Sequence, residues 1–512
     1  MRDRSNPAKS PNPLIPAILL LFLLASSLWA QAPAQQPTQP GAPPATSQHG
    51  DQAENSAQTQ ASAAGVETKI SAQEAEELFR SVDQILKFAS RDSLLPIHKE
   101  VKRRLTSRDE VAAYLQKHMS EDEDAQRLKR SELVLKKFGL LPRNFDLSSF
   151  LVALLREQVA GYYDPKTKTV NLLDWLGVEQ QRPVLAHELT HALQDQSFGL
   201  EKWMKAGSSD LALKKRNPTP EEIEHDEALT ARQAVVEGQA MAVLIDYMLA
   251  PTGQSLLNSP QIVEALKQGM LVGTADSIQF SNAPIFLKEV LTFPYRYGLD
   301  FVTEVMAKNG KDKAFAGVLK DPPHTTRQIM EPKTYLSGER LEPMPLPDFA
   351  RLTRDYEKFD IGSMGEFDVA LLVDQYAGVE PSKTLYPKWR GGYYYAARPK
   401  GDSDGELAVL YVSRWASAAS AAEFAAIYAK YLNKRYHSVR PVTADREKPL
   451  ELTENLKSLS GKRTWLTEDG DVIIDVEGDL VFITESFDEV TSGKLREAIV
   501  VQPKAAAAAG GK

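Results

Sequence analysis

The stretch Pro183–Gln196, PVLAHELTHALQDQ, holds two of the eight histidines of a 512-residue chain, four positions apart, with a glutamate directly after the first. Leu185, Leu189 and Leu193 recur through it at helical spacing, which predicts a helix. On a helix, residues i and i+4 share a face one turn apart, so the His187 and His191 imidazoles lie side by side. Two neutral ring nitrogens at that separation can grip one metal ion. Glu188, beside the first of them, can reach water at the metal without ligating it. The plainer alternative, a packing helix that happens to carry polar residues, leaves that glutamate unexplained. The chain has no cysteine, so an ion must be held by nitrogen and oxygen, and no disulfide reinforces the fold.

A catalytic zinc needs a third protein ligand and a position left open. A third histidine in the pattern His-Glu-x-x-His-x-x-Gly-x-x-His is excluded, because Gln194 stands where the glycine should be. Glu237, in AVVEGQAMAV, is an acid alone in an apolar helical stretch, and Gly238 beside it allows two helices to approach closely. A surface or salt-bridged glutamate is the alternative reading of Glu237.

HELTHALQD resembles the active-site helix of thermolysin-type metallopeptidases, and EGQA resembles the third-ligand segment Glu-Gly-x-Ala of the gluzincins, zincins whose third ligand is a glutamate. The resemblance covers a few dozen residues. It implies that His187, His191 and Glu237 hold one zinc per chain, that Glu188 is the general base, and that the substrate is a peptide or protein. GYYDPKTKTVNL, which reads as a hairpin with its turn at Asp164-Pro165-Lys166, is similar in placement to the edge strand along which zincins lay extended peptides. QVAGYYDP, LAHELTHALQDQ and TFPYRYG together are similar to a group of exported bacterial zincins.

The departures carry information too. The interval from His191 to Glu237 is longer than in thermolysin-type enzymes, and Met241 stands where they keep an acid four residues after the glutamate. Asp195 or Asp226 is therefore the residue expected to orient a ligand imidazole. The Gly-x-Met-Glu-Asn segment of related aminopeptidases is absent, which argues against recognition of a free N-terminus. GTADSIQF partly resembles the Gly-Thr-x-Asp element of aspartate-ligand zincins, making Asp276 the rival third ligand. For the donor that an oxyanion needs, FPYRYG offers Tyr295, Arg296 and Tyr297, and PPHTTRQ offers His324 and Arg327. Tyr297 and His324 are the candidates taken, with packing or surface roles open to both.

Around this core the chain divides by texture. Arg2, Arg4 and Lys9, the apolar run Leu14–Ala25 and small residues before Ala30 have the layout of a secretory signal peptide, 1–30, which implies export to the periplasm or beyond. Retention as an N-terminal membrane anchor is the alternative, and the only membrane contact expected. Residues 31–68, rich in Gln, Pro and Ala, read as a disordered spacer. SAQE at Ser71 has the form of a capping box and opens a helix ending near Ala89. Residues 91–160 read as mostly helical, and a long helix spans about 221–249. LEPMPLP, 341–347, reads as a linker between a mainly helical zincin-like domain with a small antiparallel hairpin, 69–345, and an α+β domain with an antiparallel sheet, 350–503, with a loose tail at 504–512. A chain ending near Pro347 is then expected to fold alone. The second domain carries one amphipathic helix, Ser420–Tyr436, and turns at Asp469-Gly470 and Glu477-Gly478. The fold class is α+β. A formal charge of −8 offers no field for a phosphate backbone, so nucleic acid is not a partner. Against zinc peptidase stand two other readings: a zincin-fold scaffold of the cell envelope that binds without cutting, and a closed structural zinc site with a fourth protein ligand.

Overall fold

The computed structural model describes residues 69–111, 113, 122–158, 161–206, 215, 217–265, 267, 277–442 and 456–501. The signal segment 1–30, the spacer 31–68, Asp276 and the tail 504–512 lie outside them. Helix α1, Ala72–Ser93, opens on the capping box read from SAQE: Ser71 Oγ accepts from Glu74 N at 3.2 Å and Glu74 accepts from Ser71 N at 2.7 Å. It runs a turn past Ala89 and stops where Leu94 turns left-handed, φ 61°. Its Leu78, Val82, Ile85 and Leu86 are buried, and the helix packs along α4, Val178–Phe198, the helix of the histidine motif.

Residues 91–160 are not all helical. Helices α2, Asp122–Lys137, and α3, Leu147–Gln158, are there, but KRRLT forms strand β1, Lys102–Thr106. It pairs in parallel with β3, Thr169–Leu173, which also pairs antiparallel with β2, Tyr162–Asp164. The order β1-β3-β2 leaves β2 at the sheet's edge. A strand beginning Lys-Arg-Arg shows no alternation to read; it is held by its partner and by Arg103, which donates to Phe79 O at 2.6 Å and to Asp83 at 3.1 Å.

Helix α5, His225–Leu249, follows a separate short turn, Pro220–Ile223, and carries Glu237. Its most apolar window would suit a membrane span by composition, but 78% of that window is buried in the protein, as a core helix requires. α5 packs between α4 and α6, Ile285–Asp312. The close approach expected at Gly238 is made with α6: a Cβ on Gly238 would sit 2.2 Å from Gly298 backbone atoms, and one on Gly298 would sit 2.1 Å from Ala234 O. The two backbones touch, so neither glycine can carry a side chain without driving the helices apart.

The C-terminal part is a seven-stranded antiparallel sheet in the order β4-β5-β6-β10-β9-β8-β7, with strands Tyr356–Ser363, Trp389–Pro399, Ala408–Trp415, Val439–Val442, Gly461–Thr467, Gly470–Glu477 and Leu480–Glu485 for β4 to β10. The protein is α+β, as read from the sequence. Helix α9, Ala418–Arg435, covers the sheet; it starts at the cap Ser417, whose Oγ accepts from Ser420 N at 3.2 Å, rather than at Ser420.

The two parts share core. Phe367 and Leu371 of α8, Glu366–Ala377, are packed in the N-terminal hydrophobic cluster, and Phe367 stacks on Phe293 of α6 with centroids 3.9 Å apart. In return Val134, Phe138 and Leu140 belong to the C-terminal cluster. Arg327 on α7, Thr326–Met330, donates to Glu366 at 2.6 Å, both groups buried. Glu227 of α5 accepts from Thr326 N at 2.9 Å, and a Cβ on Gly365 would meet its carboxylate at 1.8 Å. A chain cut near Pro347 would therefore expose Phe293, at a cost of about 1.5–3 kcal/mol, and take Glu366 from a buried guanidinium that keeps Glu331 and Glu339. Its expected melting temperature is well below that of the full chain, or cooperative melting is lost. Equal melting temperatures would bear out the independent boundary read from LEPMPLP.

Candidate metal centre

α4 presents His187 and His191 to α5, which presents Glu237. His187 Nε2 and His191 Nε2 are 3.0 Å apart; Glu237 Oε2 lies 3.1 Å from the first and 3.7 Å from the second. All three residues are buried, at 1%, 5% and 0% exposure. Three electron-rich atoms at that spacing repel one another unless a positive charge sits among them. Metal bonds of ~2.0–2.1 Å at tetrahedral angles put ligand atoms ~3.3–3.4 Å apart, and the observed separations bracket that. The residues fit a divalent ion bound through two nitrogens and one oxygen. In the metal-free chain a proton answers the same demand: burial opposes charge on His191, but the Glu237 carboxylate outweighs it and lifts the imidazole to about 9. Burial likewise disfavours the Glu237 carboxylate, and the two imidazoles reverse that, holding it below the ordinary range.

The imidazole of His191 is oriented by a chain of amides, not by Asp195 or Asp226. Gln239 Nε2 donates to Ala314 O at 2.8 Å and Phe315 O at 3.1 Å, which turns its Oε1 toward Gln194. Gln194 Nε2 donates to that Oε1 at 2.9 Å and to Val236 O at 3.1 Å, so its own Oε1 faces His191 Nδ1 at 2.9 Å. An amide oxygen only accepts, so Nδ1 carries the hydrogen and the Nε2 lone pair is left for a metal. The two anchoring carbonyls lie in a π-helical turn, Lys313–Gly317. His187 Nδ1 has no hydrogen-bond partner among the described residues, and its ring is braced instead by Tyr295, stacked at 6.3 Å.

Glu188 is buried, and its Oε2 accepts from Tyr163 N of β2 at 2.8 Å. Burial raises its pKa, and the neighbouring imidazoles and the Tyr163 N–H oppose that. Glu188 is thus fastened to the edge strand of the small sheet. Asp195, the expected imidazole partner, serves the hairpin: its Oδ2 accepts from Tyr163 Oη at 2.7 Å and from Lys168 Nζ at 2.6 Å, and its Oδ1 caps Leu200 N at 3.0 Å.

Of the two tyrosines flanking Arg296, Tyr295 reaches the cluster and Tyr297 does not. Tyr295 is buried against His187 and close to the Glu237 carboxylate, and burial together with the Glu237 charge keeps the phenol protonated. Residues two apart on a helix point in nearly opposite directions. Tyr297 accordingly turns to Phe293 and to Arg296, which donates to its hydroxyl at 3.1 Å. His324 is not brought to the cluster either: its backbone N–H donates to Gln328, and its ring lies in a small cleft with Arg340, where burial and that arginine lower its pKa. The structure unites His187, Glu188, His191 and Glu237 and adds Gln194, Gln239 and Tyr295.

A family model described as a domain of unknown function, DUF8575, matches residues 355–492. That interval takes in all seven strands of the C-terminal sheet and none of the candidate metal-centre residues. Neither the curated proteins nor the solved structures contain a match to this chain.

Proposed function

We propose that the chain is a zinc-dependent peptidase. The observation that carries this reading is the convergence of His187 Nε2, His191 Nε2 and Glu237 Oε2 beside a buried Glu188 that is bonded to an edge strand. Zinc bound by those three residues supplies a Lewis acid that polarises a peptide carbonyl and lowers the pKa of water. Glu188 takes the proton of the attacking water at its carboxylate and hands it to the departing amine. An extended peptide adding beside β2 passes close to Glu188, because Tyr163 ties the base to that strand. Gln194 and Gln239 hold His191 in the tautomer that can ligate, and Tyr295 braces the ring of His187. An exported location rests on the Arg2–Ala30 pattern alone. The scaffold reading is disfavoured by Glu188, since a pure binder has no use for a buried carboxylate beside the ion. Incubation with a fluorogenic peptide library is expected to release signal that a chelator abolishes and zinc restores. Cleavage indifferent to the chelator would remove the metal from the chemistry.

A further inference from the structure

The chain is net acidic, yet one cleft reverses that balance. It lies among the connection that follows α2, the start of α6 at Ile285, the end of α9 and the Asp469 turn between β8 and β9, and it encloses 840 Å³. Six Lys or Arg side chains line it against three Asp or Glu. The volume is that of a ligand site rather than of a packing defect.

Its cations include buried ones. The Lys137 side chain is 8% exposed and shares a single carboxylate, Asp469, with Arg143, at 3.5 and 2.8 Å. An ammonium has three donors; Lys137 gives one to Ser486 Oγ at 2.8 Å, a neutral acceptor. Ser486 holds φ 62°, a left-handed backbone that is uncommon for a residue with a Cβ. Arg435, also buried, pairs with Glu485, whose charge reaches Lys137 as well, so that three cations, Lys137, Arg143 and Arg435, share two carboxylates, Asp469 and Glu485. At the rim Lys434 lies over the Tyr431 ring at 5.6 Å and has no ion-pair partner among the described residues. Part of the wall is apolar, with Leu133, Leu141, Phe145 and a half-exposed Ile285. A lone oxyanion would satisfy the cations but leave that wall wet and most of the volume unfilled. A chain with carboxylates set between apolar side chains meets both demands.

We propose that this cleft binds a short acidic peptide segment, a binding function independent of the metal centre. The test is calorimetric titration of the full-length protein with acetyl-Leu-Glu-Tyr-Glu-Leu-amide, with its Gln-for-Glu counterpart and with sodium phosphate. The acidic peptide is expected to bind, to be recovered intact, and to bind ~10-fold or more tightly than the counterpart, with phosphate failing to displace it. Arg143→Gln and Lys434→Glu, both at the exposed rim, are each expected to weaken it by ~10-fold while leaving the melting temperature unchanged. Equal affinity for the two peptides, displacement by phosphate, no binding at millimolar peptide, or indifference to both rim substitutions would each overturn the assignment. Because the readout is binding, the result is the same whether or not the metal centre cuts peptides.

Discussion

Glu188→Gln is expected to hold zinc as the parent does while peptide hydrolysis falls by ~10²-fold or more, the scale of losing a positioned general base. Gln keeps the size of the side chain and an oxygen that can still accept from Tyr163 N, so the contact between α4 and β2 survives. What disappears is the carboxylate's capacity to take a proton. Stoichiometry by atomic absorption and initial rates on the best library peptide, measured on the same preparations, separate the two effects. If the variant loses its zinc, Glu188 is a ligand and the site is of another kind; if it cuts as fast as the parent, another group is the base. Equal failure of both proteins to cut any peptide, with both still binding one partner alike, would favour the scaffold.

The three residues of the candidate metal site stand out in the sequence because each breaks a local rule. Two histidines at i and i+4 break the apolar phase of α4, and Glu237 is a charge in a stretch that has no other. The amide chain was harder to read. Gln239 breaks the same apolar stretch and was a visible signal, but its anchors are carbonyls at Ala314 and Phe315, about 75 residues away in a turn whose π-helical form no composition announces. The choice between Tyr295 and Tyr297 depends on which face of α6 meets α5. Gly298, three residues after Tyr295 and so on its face, decides that, since Gly298 is where the two backbones touch. The linker at 341–347 marks a change from helices to strands but not the edge of a core. Phe367 reads as an ordinary apolar helix residue, and nothing local says that it stacks on Phe293 in the other part. β1 was missed for the opposite reason: its pairing with β3 decides its form, and its own residues do not.

Glu237→Ala is expected to bring bound zinc from one per chain to near none, a larger loss than any change outside the ligand set. Glu237 is fully buried, and its oxygen is the single anionic donor of the three-ligand group. Without it two imidazoles remain, and α5 offers nothing else at that position, since Gly238 and Ala234 are closed off by α6. Gln239→Leu touches no ligand, yet it leaves Val236 O alone to hold the Gln194 amide, so that His191 is less firmly kept in its rotamer and tautomer, for which a fall in affinity of ~10–100-fold is expected. Competition against a fluorescent zinc chelator ranks the variants directly, and Asp276→Ala, the substitution at the rival third ligand, completes the series with affinity like the parent's. An inverted order, with Asp276→Ala losing the ion and Glu237→Ala keeping it, would move the third ligand to Asp276 and leave Glu237 as a buried carboxylate paired with histidines for packing alone. A Gln239→Leu variant as tight as the parent would show that His191 is held by the helix and not by the amides.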